Sequence, residues 1–549
     1  MLRSLAAALL LATPVLAQEA PSAPPPPPPA KPPQLIVAIA VDQFSADVFA
    51  EYRQHFTGGL ARLANGVLFP SGYQSHAATE TCPGHSTILT GSRPARTGII
   101  ANDWIDLKTP RQDKTIYCSE DESVPGSNSA NYTVSPLHLK VPTLGDRMKA
   151  ANPAARVVAV TGKDRAAVMM SGHTADQAWW WGGKSFVSYT GRTEPAPVTR
   201  MNTAVTAQLG RAQAALALPD FCNSRDIAVP IGAGKTVGTG RFSRDAGDSR
   251  RFRASPEFDT AIVALAGDMF EEMKLGRGTT TDLLIVGASA SDYVGHTYGT
   301  EGTEMCLQLY HLDRTLGALF ERLDASGLDY QVVLTADHGG HDLPERHNMH
   351  GIPEAARVEA GMGAKAMGAK VAAKLGLGDA QLLWGGNFGD IYVDPALPAK
   401  QREAVLREAM ALYRAHPQVA GVYTRADILA TPSPSGPPET WSMLQRARAS
   451  FFPERSGDFV VALKPRITPI SDPTNGSVAT HGSFWDYDRR VPILFWRKGQ
   501  TGFEQPMSVE TVDILPTLAS LIDLSIPASE IDGRCLDLDA GPGTTCPAR

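Results

Sequence analysis

The chain has 549 residues, 43% hydrophobic and 20% charged, the mix of a globular protein able to bury a large core. Its formal net charge of −6 offers no polycationic face, which argues against a nucleic-acid-binding module. Length alone suggests roughly three or four domains, a soft figure because α/β enzymes spend many residues on one.

The first element, MLRSLAAALLLATPVLAQEA, reads as a signal peptide over residues 1–17. Arg3 supplies the positive charge, Leu5 to Leu11 the apolar region, and Val15-Leu16-Ala17 the small-residue cleavage site before Gln18. That run is too short to span a bilayer, and no later segment reaches about 18 uninterrupted apolar residues. An exported protein, periplasmic or secreted and without a transmembrane segment, is therefore expected. Residues 18–33, with PSAPPPPPPAKPP, form a polyproline II tether, and the folded part begins at Gln34. In an oxidising compartment the six cysteines read as disulfides. Six allow fifteen pairings. Cys535 with Cys546, Cys82 with Cys118 and Cys222 with Cys306 make one consistent set.

Four apolar, β-branched runs follow, each ending in polar residues. LIVAIAV (35–41) leads to Asp42, and RVVAV (156–160) to Thr161-Gly162-Lys163-Asp164-Arg165. DLLIVGA (282–288) leads to Ser289 to Asp292, and QVVLT (331–335) to Ala336-Asp337-His338-Gly339-Gly340. Continuous apolar runs bounded by turn residues suit strands buried on both faces of a parallel sheet. Helical patterns lie between them, as in HLDRTLGALFERLDASG, with Leu312, Leu316, Leu319, Phe320 and Leu323 on one stripe and Gly327 as the stop. The expected fold is α/β: a mostly parallel central sheet with helices on both faces, its ligand site beyond the carboxyl ends of the strands. Trp179-Trp180-Trp181 is expected in core packing.

Between 343 and 478 the rhythm breaks, with QREAVLREAMALYRAHP, the Pro-rich ATPSPSGPPETW and the strand-like DIYVD and DFVVALKP. This stretch is expected to be an inserted smaller subdomain. The catalytic domain would then comprise 34–342 and 479–549, with RRVPILFWRKG as a late strand and ETVDILPTLASLI as a closing helix.

Three aspartates and three histidines stand at or near these strand ends. Asp337 and His338 are adjacent, Asp292 and His296 are four apart, Asp42 ends the first run, and His481 lies in a glycine-flanked loop. Six O/N donors suit zinc, but they exceed what one tetrahedral ion with an open position needs. They fit two ions, which about 3.5–4 Å apart clamp the attacking and leaving oxygens of a phosphoryl displacement. The segment ATETCPGHSTILTG, 78–91, supplies hydroxyls at Thr79, Thr81, Ser86 and Thr87 ahead of or within a helix whose first residue is expected to be Pro83. Thr81 is favoured because it precedes that helix. His85, His341, His347 and His350 are expected outside the metal shells, at the surface or donating to a ligand carboxylate.

Asp42, TETCPGHST, Asn102-Asp103-Trp104, Gly162-Lys163-Asp164-Arg165, SDYVGH, TADHGGHD and ATHGS occur in the order and rough spacing of the alkaline phosphatase superfamily. Within it the chain resembles the bacterial, Sphingomonas-type alkaline phosphatases with a threonine nucleophile. The resemblance implies an alkaline-phosphatase-like fold and hydrolysis of small phosphate monoesters through a phosphothreonine on Thr81. It implies two zinc ions, one held by Asp292, His296 and His481, the other by Asp42, Asp337, His338 and the Thr81 hydroxyl. Asn102, Lys163 and Arg165 would contact the phosphoryl oxygens. A monomer or weak oligomer is expected, and the resemblance leaves room for structural calcium. The competing readings are a phosphodiesterase or nucleotide pyrophosphatase on the same metals and, from another class, an inert exported metal-binding protein. Metal storage, however, has no use for Asn102, Lys163 and Arg165.

Overall fold

The computed structural model describes residues 31–547. The signal peptide, its cleavage site and the tether up to residue 30 lie outside the described residues. No helix among the described residues is long and apolar enough to cross a membrane.

The predicted runs form the centre of a ten-stranded sheet. Its strands are β1 (Leu35–Val41), β2 (Val67–Tyr73), β3 (Val157–Thr161), β4 (Gln177–Trp181), β5 (Phe186–Val187), β6 (Asp282–Ala288), β7 (Tyr330–Thr335), β8 (Arg490–Arg497), β9 (Phe503–Glu504) and β10 (Val509–Glu510). Across the sheet the order is β9-β2-β8-β7-β1-β6-β3-β4-β5, with β10 also on β2. The stretch from β7 through β1, β6 and β3 to β4 is parallel. The late strand β8 runs antiparallel to both neighbours, β7 and β2.

Both faces of this sheet are covered. Leu35, Val37, Ile39 and Val41 of β1 enter one core cluster, while Ile36, Ala38 and Ala40 enter another on the opposite face. That is why the run carries no polar alternation. The tryptophans divide the same way, Trp179 and Trp181 to one side and Trp180 to the other, all buried. The predicted stripe of leucines lies on a helix from Thr303 to Ala325, with all five apolar residues buried.

At the C-terminus the expected helix starts later than its sequence pattern. Val509–Glu510 pairs with β2, Thr511–Asp513 makes a 3-10 turn, and the helix spans Ile514–Leu521. Pro516 has no N–H to give, so it fits only the first turn of that helix. A separate antiparallel sheet of four strands, in the order Leu383–Gly385, Gly389–Val393, Phe459–Leu463 and Val419–Thr424, packs with the helices Ala364–Leu375 and Ala399–Ala415 around its own cluster of apolar side chains. All six cysteines are paired, as Cys82–Cys118, Cys222–Cys306 and Cys535–Cys546.

Candidate active site

The sheet register assembles the site. Val41 pairs with Ala288 and Ala40 with Thr335, so β1, β6 and β7 end level with one another, and Thr161 of β3 lies beside Gly287. Just beyond those ends come Asp42, Lys163, Asp292 and Asp337, none more than 2% exposed. Ligand sites of open α/β sheets lie at this edge.

The hydroxyl-bearing segment reaches the same edge from β2, as α1 (Thr81–Ile88). Here the sequence reading needs correcting. Glu80 is the cap, with extended backbone and a carbonyl that accepts from the Gly84 N–H, so Thr81 opens the helix and Pro83 sits third. The first N–H groups of a helix have no partner within it, so proline is tolerated there as well as at the first position. Gln74 pins α1 to the sheet, its Nε2 donating to the carbonyls of Gly84 and Ala336 and its Oε1 accepting from Thr87 Oγ1. Gly84 then lies directly on β7's exit. An added Cβ would stand 2.6 Å from the carbonyl carbon of Asp337 and closer still to its oxygen.

Of the four candidate hydroxyls, three are already engaged. Thr79 Oγ1 donates to Ser483 O and Ser86 Oγ to Pro83 O, while Thr87 Oγ1 shares its one proton between Gly84 O and Gln74 Oε1. Thr81 Oγ1 instead accepts from the Lys163 ammonium at 3.4 Å.

Five of the six expected ligands fall into two clusters, within each of which the donor atoms lie within 4.8 Å of one another: Asp292 with His338 and His481, and Asp42 with His85 and Asp337. His338 thus groups with Asp292 and His481, where the sequence placed it with Asp42 and Asp337; His85 stands in its place, and His296 lies outside both clusters. Contacts cross between the clusters, since His338 Nε2 is also 3.2 Å from Asp337 Oδ2; His296 approaches the first of them, its Nε2 3.3 Å from Asp292 Oδ1. The orientation of the rings is the more telling fact. His296 Nδ1 faces Ala479 O, His338 Nδ1 faces Gly339 O, and His481 Nδ1 faces Thr79 O, at 2.8–2.9 Å. A carbonyl oxygen only accepts, so each Nδ1 carries a proton and each Nε2 is turned into the cluster, where its lone pair is available to a metal ion. Those Nε2 atoms face carboxylate oxygens at 3.2–3.3 Å. Asp42 Oδ1 and Oδ2, Asp292 Oδ1, Asp337 Oδ2 and His338 Nε2 are buried without a hydrogen bond of good geometry. Lone pairs set against buried carboxylates are stable only around cations, and the donor set suits divalent ions of the zinc type.

The cationic side of the site starts at Lys163. Its ammonium lies 2.8 Å from Asp42 Oδ2 and 2.6 Å from Asp292 Oδ2, touching one carboxylate of each cluster. Burial pulls its pKa down, but those two carboxylates outweigh the loss and hold it above its ordinary value. Two residues on, in α2 (Asp164–Ser171), Arg165 is half-buried. Desolvation is again overcome, by the Tyr117 and Tyr293 hydroxyls and by Asp164, and the guanidinium stays charged. Its Nη1 meets the Tyr117 hydroxyl at 3.3 Å. Asn102 is fixed at both ends: its N–H donates to Glu80 Oε2 and its Oδ1 accepts from the Cys82 N–H. Its carbonyl accepts from the Cys118 N–H. The Cys82–Cys118 disulfide therefore links the start of α1 to the strand that carries Tyr117, Arg165's partner.

Sequence reasoning left two participants aside. His85 is fully buried, with Nδ1 2.9 Å from Thr81 O and Nε2 3.2 Å from Asp42 Oδ1, the same disposition as the expected ligands. The signal was its spacing, four residues after Thr81 on one helical face. Glu80, whose carboxyl is pushed up by burial, holds Asn102. His341 and His347 are buried behind the site, where His341 Nε2 meets Thr468 Oγ1, and His350 lies on the surface near Glu301.

Residues 36–484 match the type I phosphodiesterase / nucleotide pyrophosphatase family. The chain belongs to that family. Along its whole length it is 60% identical to the alkaline phosphatase PhoK of a Sphingomonas species, with all of both chains aligned. It is 48% identical to the alkaline phosphatase PhoD of Zymomonas mobilis, over 94% of this chain and 90% of the relative. The crystal structure of the wild-type alkaline phosphatase PafA superposes with a TM-score of 0.79 at 25% identity, over 92% of this chain and 98% of the other. The resemblance read from the motifs thus extends through the fold.

Proposed function

We propose that the protein is an exported alkaline phosphatase that hydrolyses small phosphate monoesters through a phosphothreonine on Thr81. The observation that carries this reading is the Thr81 hydroxyl. It is the one hydroxyl of its segment not bound to a backbone carbonyl, and the ammonium it meets at 3.4 Å also touches a carboxylate of each metal-competent cluster.

Asp292, His296 and His481 would hold one zinc ion, and Asp42, Asp337 and His338 the other. Bound there, the pair would favour the ionised form of the Thr81 hydroxyl and of water and offset charge on the departing oxygen. The chain's own groups do the rest. Thr81 Oγ attacks phosphorus, forming the Oγ–P bond as the ester P–O bond breaks. Lys163, Asn102 and Arg165 bind the non-bridging oxygens, Arg165 as a planar fork and Lys163 as a point charge. Water then cleaves the phosphothreonine, returning the hydroxyl to Thr81 and releasing phosphate. Three donors on those oxygens suit a dianionic monoester, which has one more charged oxygen than a diester. Activity is expected at alkaline pH, where the substrate is fully dianionic.

The test is kcat/KM for a nitrophenyl monoester and the corresponding diester on zinc-loaded protein, with a chelator-treated control. A monoester preference of several decades, abolished by chelation, supports the reading. Lys163→Ala is expected to cost monoester turnover roughly 3–4 kcal/mol, a loss of about a hundredfold or more, and diester turnover much less. Equal losses on both substrates would remove Lys163 from that role, and a diester preference would make the protein a phosphodiesterase on the same metals.

A further inference from the structure

We propose that the enzyme selects monoesters whose alcohol is apolar and carries no negative charge, and that this alcohol docks in a cavity between the catalytic sheet and the separate four-stranded sheet. The inference rests on the phosphatase reading above and names the substrate class of that site.

The cavity has a volume of about 290 Å³ and adjoins the reacting groups along the chain. Glu80 precedes Thr81, Asp103 follows Asn102 and Gly482 follows His481, and all three line it. Its walls are apolar and largely aromatic: Ile100, Trp104, Phe388, Tyr392, Phe451 and Phe484. Phe388, from the turn between two strands of the smaller sheet, reaches back to the catalytic side. A Cβ on Gly482 would meet its ring at 3.3 Å.

The charge inside is of one sign. Glu80, Asp103 and Asp390 line the cavity, and no Lys, Arg or His does. Burial pushes the Asp390 carboxyl up to about 6 against the pull of Arg425 outside the lining, which leaves it ionised at alkaline pH. Asp103 is exposed at the cavity's edge. A site that must attract a phosphoryl dianion concentrates its cations around Thr81. Carboxylates on the alcohol side then reject alcohols that bear further phosphate or carboxylate. Aromatic walls accept a flat neutral group, and with the carboxylates they also accept an ammonium. Such exclusion is discrimination by repulsion.

The experiment uses the metal-loaded full-length enzyme at alkaline pH. Three aryl phosphates, bearing a para trimethylammonium, acetyl or sulfonate group, are compared by kcat/KM at equal leaving-group acidity. The expected order is cationic at or above neutral, with the anionic ester lower by about tenfold or more, the size of a like charge several ångström away at an effective dielectric near 20. Asp390→Asn keeps an acceptor for the Gly457 N–H and is expected to shrink that gap several-fold. Phe388→Ala is expected to raise KM for the neutral aryl ester more than kcat falls. Efficient turnover of all three esters without a charge order would overturn this inference and leave the phosphatase reading standing. So would an unchanged gap in Asp390→Asn. Failure to hydrolyse any of the three would overturn both.

Discussion

Gly84 carries the sharpest mechanical constraint in the site. Its Cα faces the backbone of Asp337, and a Cβ there would lie 2.6 Å from the Asp337 carbonyl carbon and 2.9 Å from its Cα. Carbon atoms rest about 3.5–4 Å apart, so Gly84→Ala requires α1 and the β7 exit to separate by roughly 1 Å. Neither side has room, because Gln74 ties Gly84 and Ala336 together from behind. Overpacking of this kind costs about 1–3 kcal/mol of stability. Catalysis is expected to lose more, since Thr81 rides on α1 and Asp337 is a candidate ligand. A displacement of about 1 Å between reacting groups costs on the order of a hundredfold in rate. Stopped assays of kcat/KM on a nitrophenyl monoester, alongside thermal melts, separate the two effects. Activity within twofold of the parent protein would refute the idea that the nucleophile is set by direct contact of α1 with the strand end.

Gln43 gives a second steric test. It has a φ of +58°, donates its N–H to Asp337 Oδ1, and lies buried against Gly295, where a Cβ would come within 2.7 Å of its Cδ. Gly295→Ala is expected to lower activity at least tenfold, and Gln43→Ala in the same chain to restore part of it; two purely additive losses would deny the contact. Replacing Cys82 and Cys118 by serine opens a cross-link spanning 36 residues and is expected to cost about 3 kcal/mol in denaturant unfolding, with a larger loss of activity than opening Cys535–Cys546. Asp146 caps its helix and accepts from Thr143, His173 and Thr174, and those bonds, led by His173, overcome burial to hold its carboxyl down at about 2. A depressed carboxyl stabilises the fold fully above its ordinary value near 3.8 and loses that contribution as pH falls through about 2. The destabilisation by Asp146→Asn, about 2 kcal/mol near neutrality, should therefore vanish over that window in urea melts; a pH-independent difference would contradict it.

The central strands were legible because burial on both faces leaves a run with no polar alternation. β1 and β6 match their predicted runs residue for residue, β3 is shifted by one residue and β7 starts one residue earlier. The donor residues were legible for a related reason: a charged side chain directly after an apolar run has no structural use in a core. What the sequence hides is adjacency. That Asp42 and Asp337 flank one histidine follows from β1 and β7 being neighbours, which no local pattern states, so the sequence offered His85 only as a surface residue or a donor to an unspecified ligand carboxylate. The cap at Glu80 was hidden by Pro83, whose chemistry permits three starting points for the helix. The cavity beneath Phe388 needs two sheets to meet, and each of them reads separately as ordinary apolar strand.

The place of β8 has a consequence for biosynthesis. This strand, residues 490–497, lies between β2 and β7 and is the link through which β2 joins the rest of the sheet. The segment that carries Thr81 leaves β2, so the strand from which it emerges joins the sheet only once this late strand pairs. His481 arrives at the same late stage. A chain cut short before residue 490 would keep most of the sequence and lack the strand that joins β2 to the rest of the sheet. Such long-range pairing predicts slow folding.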